Sequence, residues 1–128
     1  RKVFGDQRYV ETWPEEFEGV HVVKSYGANT AVWNMQNYTV SIKDGKVYIN
    51  EYPLTFYHFS GLTLISRREF NLSWYYHIDD DMVVNYIYKP YVLTLRTVMK
   101  EMEKYFPWFN AGFLPRELTP DTHYFAMD

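Results

Sequence analysis

The sequence predicts an α/β class of fold, α+β within this stretch of chain: a mixed sheet with a β-hairpin, then one long C-terminal helix. Three observations predict it. "YTVSIKDGKVYIN" (38–50) sets two β-rich runs around Asp-Gly, the favoured tight hairpin turn. "PLTFYHFSG" (53–61) reads as a further strand. Val83, Ile87, Tyr91, Leu95, Val98 and Met102 recur at helical spacing.

The elements follow in order. Residues 5–17 read as a short helix, with Tyr9, Val10 and Trp13 on one side, Asp6 as its cap and Pro14 near its end. Val20–Lys24 reads as a buried strand because valine is β-branched and recurs there. "SYGANTAVWN" (25–34) reads as a loop, the hairpin follows, and then the strand 53–61. In that strand Leu54, Phe56 and His58 share one face, and Thr55, Tyr57 and Phe59 the other. Residues 63–81 suggest a turn or short helix. The long helix runs from Met82 to Phe106. Asp79, Asp80 and Asp81 precede it, and Lys100 and Lys104 lie near its end, as the helix dipole favours. Pro90 either kinks this helix or begins its second half. The tail from Asn110 reads as surface loop.

Composition narrows the function classes. The chain has 128 residues, a size for one domain over 1–128. Aromatic residues are 20% of it and tyrosine alone occurs 13 times, which argues against disorder and for a packed core with aromatic pockets. The net charge is −3 and no basic stripe occurs, so nucleic-acid binding by phosphate neutralisation is not expected. Without cysteine there is neither a disulfide framework nor a thiolate metal site, and a cytoplasmic setting is expected. No apolar run reaches the roughly 20 residues of a membrane span.

Three spots carry candidate chemistry. Asp6 and Gln7 are a carboxylate and an amide that can bind vicinal hydroxyls, or a helix cap and a surface residue. Trp33 and Asn34 offer an apolar face and a two-way hydrogen-bonding group, or a core ring and a turn. His58 ends an apolar strand before Ser60-Gly61, where a neutral imidazole can ligate a divalent metal or simply pack. Asp79 and Asp81 form an Asp-x-Asp pattern that could hold a divalent metal, or the run Asp79–Asp81 is a helix cap and solvated terminus.

Taken in order, "DQRYVETWPEEFEGVHVV", "WN" and "YHFSG" resemble the C-terminal half of GT-A glycosyltransferases of the glycogenin and bacterial galactosyltransferase type. The resemblance spans Asp6 to Gly61. It implies the C-terminal half of a nucleotide-diphospho-sugar transferase fold. It also implies transfer of a sugar from a nucleotide-diphosphate donor to a carbohydrate or lipid-linked acceptor, the latter a route to membrane association. Mn²⁺ or Mg²⁺ would act as Lewis acid on the leaving diphosphate, with His58 as a ligand. Asp6 and Gln7 would act at the donor sugar as catalytic residues. Trp33 and Asn34 would form the substrate wall, and Gly61 would let backbone approach the phosphates.

This chain departs from that pattern in two ways. "GLTLIS" follows where the family commonly has Lys-Pro-Trp, and no Asp-x-Asp precedes Asp6. The expectation is therefore a piece of a longer enzyme that lacks its nucleotide-binding half and is inactive alone, with an exposed face that a homodimer could cover. The alternative expectation is a non-catalytic carbohydrate-binding or interaction module.

Overall fold

A computed structural model describes residues 7–128. Asp6 lies outside the described residues. The helix expected over 5–17 is two pieces, a 3₁₀ turn Gln7–Val10 and a short helix α1, Trp13–Glu16. Pro14 sits in the first turn of α1, where its missing N–H costs nothing.

The strand expected over Val20–Lys24 is absent. That run has no ladder partner among the described residues, and Val22 and Val23 are about 60% exposed (58% and 63%). β-Branched residues favour a strand only where a neighbour supplies hydrogen bonds and a face to pack on.

The expected loop 25–34 contains a strand. Tyr26–Ala28 is a 3₁₀ turn, and β1 is Thr30–Ala31, with Thr30, Ala31 and Val32 buried. The hairpin stands as read: β2, Val40–Lys43, pairs antiparallel with β3, Lys46–Ile49, from Val40↔Ile49 to Lys43↔Lys46. Asp44 and Gly45 both take positive φ (50° and 72°), as a type I′ turn requires. A third strand β4, Tyr52–Pro53, closes this sheet at its edge, where a proline is tolerated.

The single strand expected over 53–61 is interrupted. After β4 the N–H groups of Thr55 and Phe56 both turn to the Gly27 carbonyl, at 2.8 and 2.9 Å. Only Tyr57–His58, β5, is a strand, and it pairs parallel with β1: Thr30↔Tyr57 and Ala31↔His58.

Residues 63–81 hold strands where a turn or helix was expected. β6, Thr63–Leu64, and β7, Glu69–Asn71, form a hairpin, and the tail adds β8, Tyr124–Ala126, to β7. Asn71 fixes the tail. It is fully buried, and its Nδ2 donates to the carbonyls of Pro120 (2.9 Å) and Thr122 (2.6 Å).

The long helical run is real but changes register. The Asp80 side chain caps it by accepting from Met82 N–H at 2.8 Å. Helix α2, Asp81–Val83, passes into a π-helical turn, Val84–Tyr88, and then into α3, Lys89–Glu103. Pro90 explains the π turn: it cannot donate to the carbonyl four residues back, and its ring needs room there. The wider turn inserts a residue, so the buried face steps from Val83 and Ile87 to Tyr88 and Val92. Tyr91, Val98 and Met102, expected on the buried stripe, are exposed.

The described residues form a mixed α and β structure of three small sheets and one long helix. Its core joins Met35, Val40, Ile49, Phe70 and Leu72 to Val83, Ile87, Tyr88 and Val92 of the helical run. No helix of the described residues is long and apolar enough to cross a membrane.

Candidate functional site

The parallel pair β1–β5 brings two of the sequence spots together. Ala31 is the register partner of His58, and the chain leaves β1 directly into Trp33. The rings of Trp33 and His58 meet edge-on, 4.9 Å apart at 73°. Tyr76 approaches the indole as well, at 6.1 Å. Trp33 is 40% exposed, so part of its ring is presented to solvent.

Beside it lies an open cleft of about 570 Å³. Residues of two segments, 32–38 and 76–80, line it, together with Tyr57 and Val83. Its apolar base includes Val32, Met35 and Val83, which are core residues. Its aromatic surface is Trp33, Tyr38, Tyr57 and Tyr76, and its polar groups are Gln36, His77, Asp79 and Asp80. Among the described residues, no lysine or arginine lines it. An apolar base, exposed aromatic faces and several hydrogen-bonding groups suit an uncharged polyhydroxyl ligand.

The two segments are held by their own hydrogen bonds. Asn34 Oδ1 accepts from Ala31 N–H and its Nδ2 donates to the Asn29 carbonyl, both at 2.9 Å. Asn34 therefore braces the turn that presents Trp33. Buried Ser73 closes the other segment: its Oγ donates to the Tyr76 carbonyl at 2.6 Å and accepts from Tyr76 N–H at 3.2 Å. Gly61 anchors the same stretch. Its carbonyl accepts from Trp74 N–H at 3.0 Å, its φ is +75°, and a Cβ there would stand 2.9 Å from the Trp74 nitrogen. Gly61 thus has a backbone-packing reason to be glycine.

The titrating groups follow from burial and neighbours. His77 Nε2 lies 3.0 Å from an Asp79 carboxylate oxygen. His123 Nε2 accepts from Ile78 N–H at 3.0 Å. Burial first, and the nearby His77 second, hold His123 below the usual histidine range, with Asp79 opposing. Tyr57 donates to the Tyr88 hydroxyl at 3.3 Å. Burial raises Tyr57 and pushes Tyr88 up to about 12, so both remain neutral phenols near neutral pH.

The sequence-predicted residues divide accordingly. Trp33, Asn34 and His58 are brought together, and Gly61 supports the second segment through Trp74. Gln7 is exposed on its 3₁₀ turn and does not line the cleft. His58 is exposed at the end of β5 and touches the cleft through the indole. Among the described residues no three His, Cys, Asp or Glu side chains converge as a metal site. Sequence reading did not single out Gln36, Tyr76 or His77, and did not join Asp79 and Asp80 to the Trp33 spot. The available signal was the density of aromatic and polar residues in "SWYYHIDDD", in a segment without helical periodicity.

No family model matches the chain, and no solved structure matches it. Two curated relatives from Bacillus subtilis (strain 168) do. "Uncharacterized protein YfnD" is 58% identical over 128 residues, which is all of this chain and 41% of that protein. "Uncharacterized protein YfnF" is 32% identical over 115 residues, 89% of this chain and 37% of that protein. The chain spans about two-fifths of the length of these relatives.

Proposed function

We propose that the Trp33 cleft is a carbohydrate-binding wall, contributed to a sugar-nucleotide glycosyltransferase of the GT-A type. One observation carries the reading. The Trp33-Asn34 and His58-to-Gly61 spots, which the resemblance joins in one site, are neighbours here through the β1–β5 register and the Trp33–His58 contact. The indole supplies a face for a sugar ring, and Gln36, Asp79 and Asp80 supply acceptors and donors for hydroxyls.

In this reading Asp6 and Gln7 act at the donor sugar. A divalent Mn²⁺ or Mg²⁺ would neutralise the leaving diphosphate, with exposed His58 as one ligand. Among the described residues, His58 belongs to no group of three or more His, Cys, Asp or Glu side chains that could hold the ion. The chain's own contribution is to bind and orient the sugar on Trp33. Half-buried Tyr57 and buried Tyr88 hold their phenol protons and serve as wall and core.

The test is binding. Monosaccharides and a nucleotide-sugar are titrated into the chain while indole and amide resonances are followed by NMR. Saturable shifts at Trp33 and Tyr76 support the reading; their absence with every sugar rejects it. A donor-hydrolysis assay on the same chain separates wall from whole enzyme. No turnover is expected, and metal-dependent turnover would reject the partial-site reading. Sugar binding here, together with a relative of full length that lacks transferase activity, would favour the non-catalytic binding module.

A further inference from the structure

His123 joins the tail to the cleft. It directly precedes β8, its carbonyl accepts from Leu72 N–H at 3.0 Å, and its φ is +60°. Its ring reaches across to the second cleft segment. Nε2 accepts from Ile78 N–H at 3.0 Å, and the ring lies 4.9 Å from that of His77. Ile78 sits among four other cleft-lining residues of that segment, Tyr76, His77, Asp79 and Asp80. A nitrogen that accepts carries no hydrogen, so the arrangement assigns His123 the neutral tautomer with its proton on Nδ1.

We infer that His123 is an acid-sensitive latch: neutral, it holds the 76–80 segment in place through Ile78, and protonated, it releases it. A second ring proton puts an N–H on Nε2, facing the Ile78 N–H. Two donors cannot bond each other, and a half-buried donor left unpaired is costly. The titratable groups facing His123 are His77 and Asp79, both on the latched segment. On its own segment the Asp121 carboxylate is engaged by Arg116.

Burial and His77 oppose the proton while Asp79 favours it, and the net effect lowers the His123 pKa. The sign follows. The latched state binds this proton more weakly than the released state does. The latch is complete above the ordinary histidine value of about 6.5 and weakens as pH falls through the depressed one.

The latch does not depend on what the cleft binds; its effect on sugar affinity rests on the carbohydrate reading. The experiment is an NMR pH titration of the chain without ligand. Above neutrality the His123 ring nitrogens should report the Nδ1–H tautomer. On acidification the Ile78 amide and the Tyr76 resonances should move with the His123 titration. In H123N, which keeps a residue tolerant of positive φ, that coupled response should vanish. In H77Q, which leaves the latch bond in place, the midpoint should rise. An Nε2–H tautomer, an Ile78 amide indifferent to His123 protonation, or a coupled Ile78 response that disappears in H77Q would overturn the latch. A ligand arm compares sugar affinity at about pH 7.5 and about pH 5, with weaker binding expected at the lower value and that loss absent in H123N. Loss of the coupled Ile78 response rejects the latch, whereas absence of sugar binding at both values rejects the carbohydrate reading alone.

Discussion

Trp33 and His58 meet at 4.9 Å because Ala31 and His58 are register partners in a two-stranded parallel pair. Neither ring is buried, so the contact adds little to the core and leaves indole surface facing a cleft. Trp33→Ala should therefore abolish sugar-induced shifts while costing about 1 kcal/mol or less in stability, roughly the value of one aromatic pair. Paired thermal melts and titrations check this. Severe destabilisation would make Trp33 a core residue instead.

The glycines that shape the site should be intolerant. Gly27 is buried, and a Cβ there would fall 1.9 Å from the Pro53 carbonyl oxygen, which is backbone and cannot swing aside. Gly61→Ala adds a positive-φ penalty to its tight approach to Trp74. Both variants should lose on the order of 1–3 kcal/mol or more, with Gly27→Ala the worse, by chemical denaturation.

The three aspartates should not be equivalent. Asp80→Ala removes the cap bond to Met82 N–H and should cost about 1 kcal/mol. Asp79→Ala should change stability little, since Asp79 and its partner His77 are both exposed, but should weaken a sugar ligand at the cleft rim. Equal stability losses at the two positions would contradict the assignment.

His58 is the test of the metal expectation. In the proposed metal-dependent transferase, His58→Ala should reduce Mn²⁺-dependent donor binding by about ten-fold or more and leave the melting temperature nearly unchanged. A large stability loss with donor binding intact would make His58 structural.

What was legible in the sequence was local. The Asp44-Gly45 hairpin was readable because its turn chemistry is contained in the residues that pair. The helical run was readable from its period, but the slip from Tyr91 to Tyr88 and Val92 was not. It follows from how Pro90 is accommodated. β1 was hidden because two residues carry no period and their partner, β5, is distant in sequence. The valines at 20–23 misled because propensity says nothing about whether a partner strand is present. Trp33, Asn34 and His58 were singled out by their order along the chain, and the β1–β5 register brings them together. Tyr76, His77 and Asp79 were not joined to them because only folding brings 76–80 against 32–38. The role of His123 lay in a hydrogen bond to Ile78, far upstream in sequence.

The most direct measurement is an NMR titration of the 128-residue chain with a panel of neutral monosaccharides, the indole N–H of Trp33 being assigned by comparison with Trp33→Phe. A cleft that binds carbohydrate predicts saturable shifts at Trp33, Gln36 and Tyr76 with at least one sugar, absent in Trp33→Ala. No sugar-dependent shift at these residues, or shifts that persist unchanged in Trp33→Ala, would contradict it.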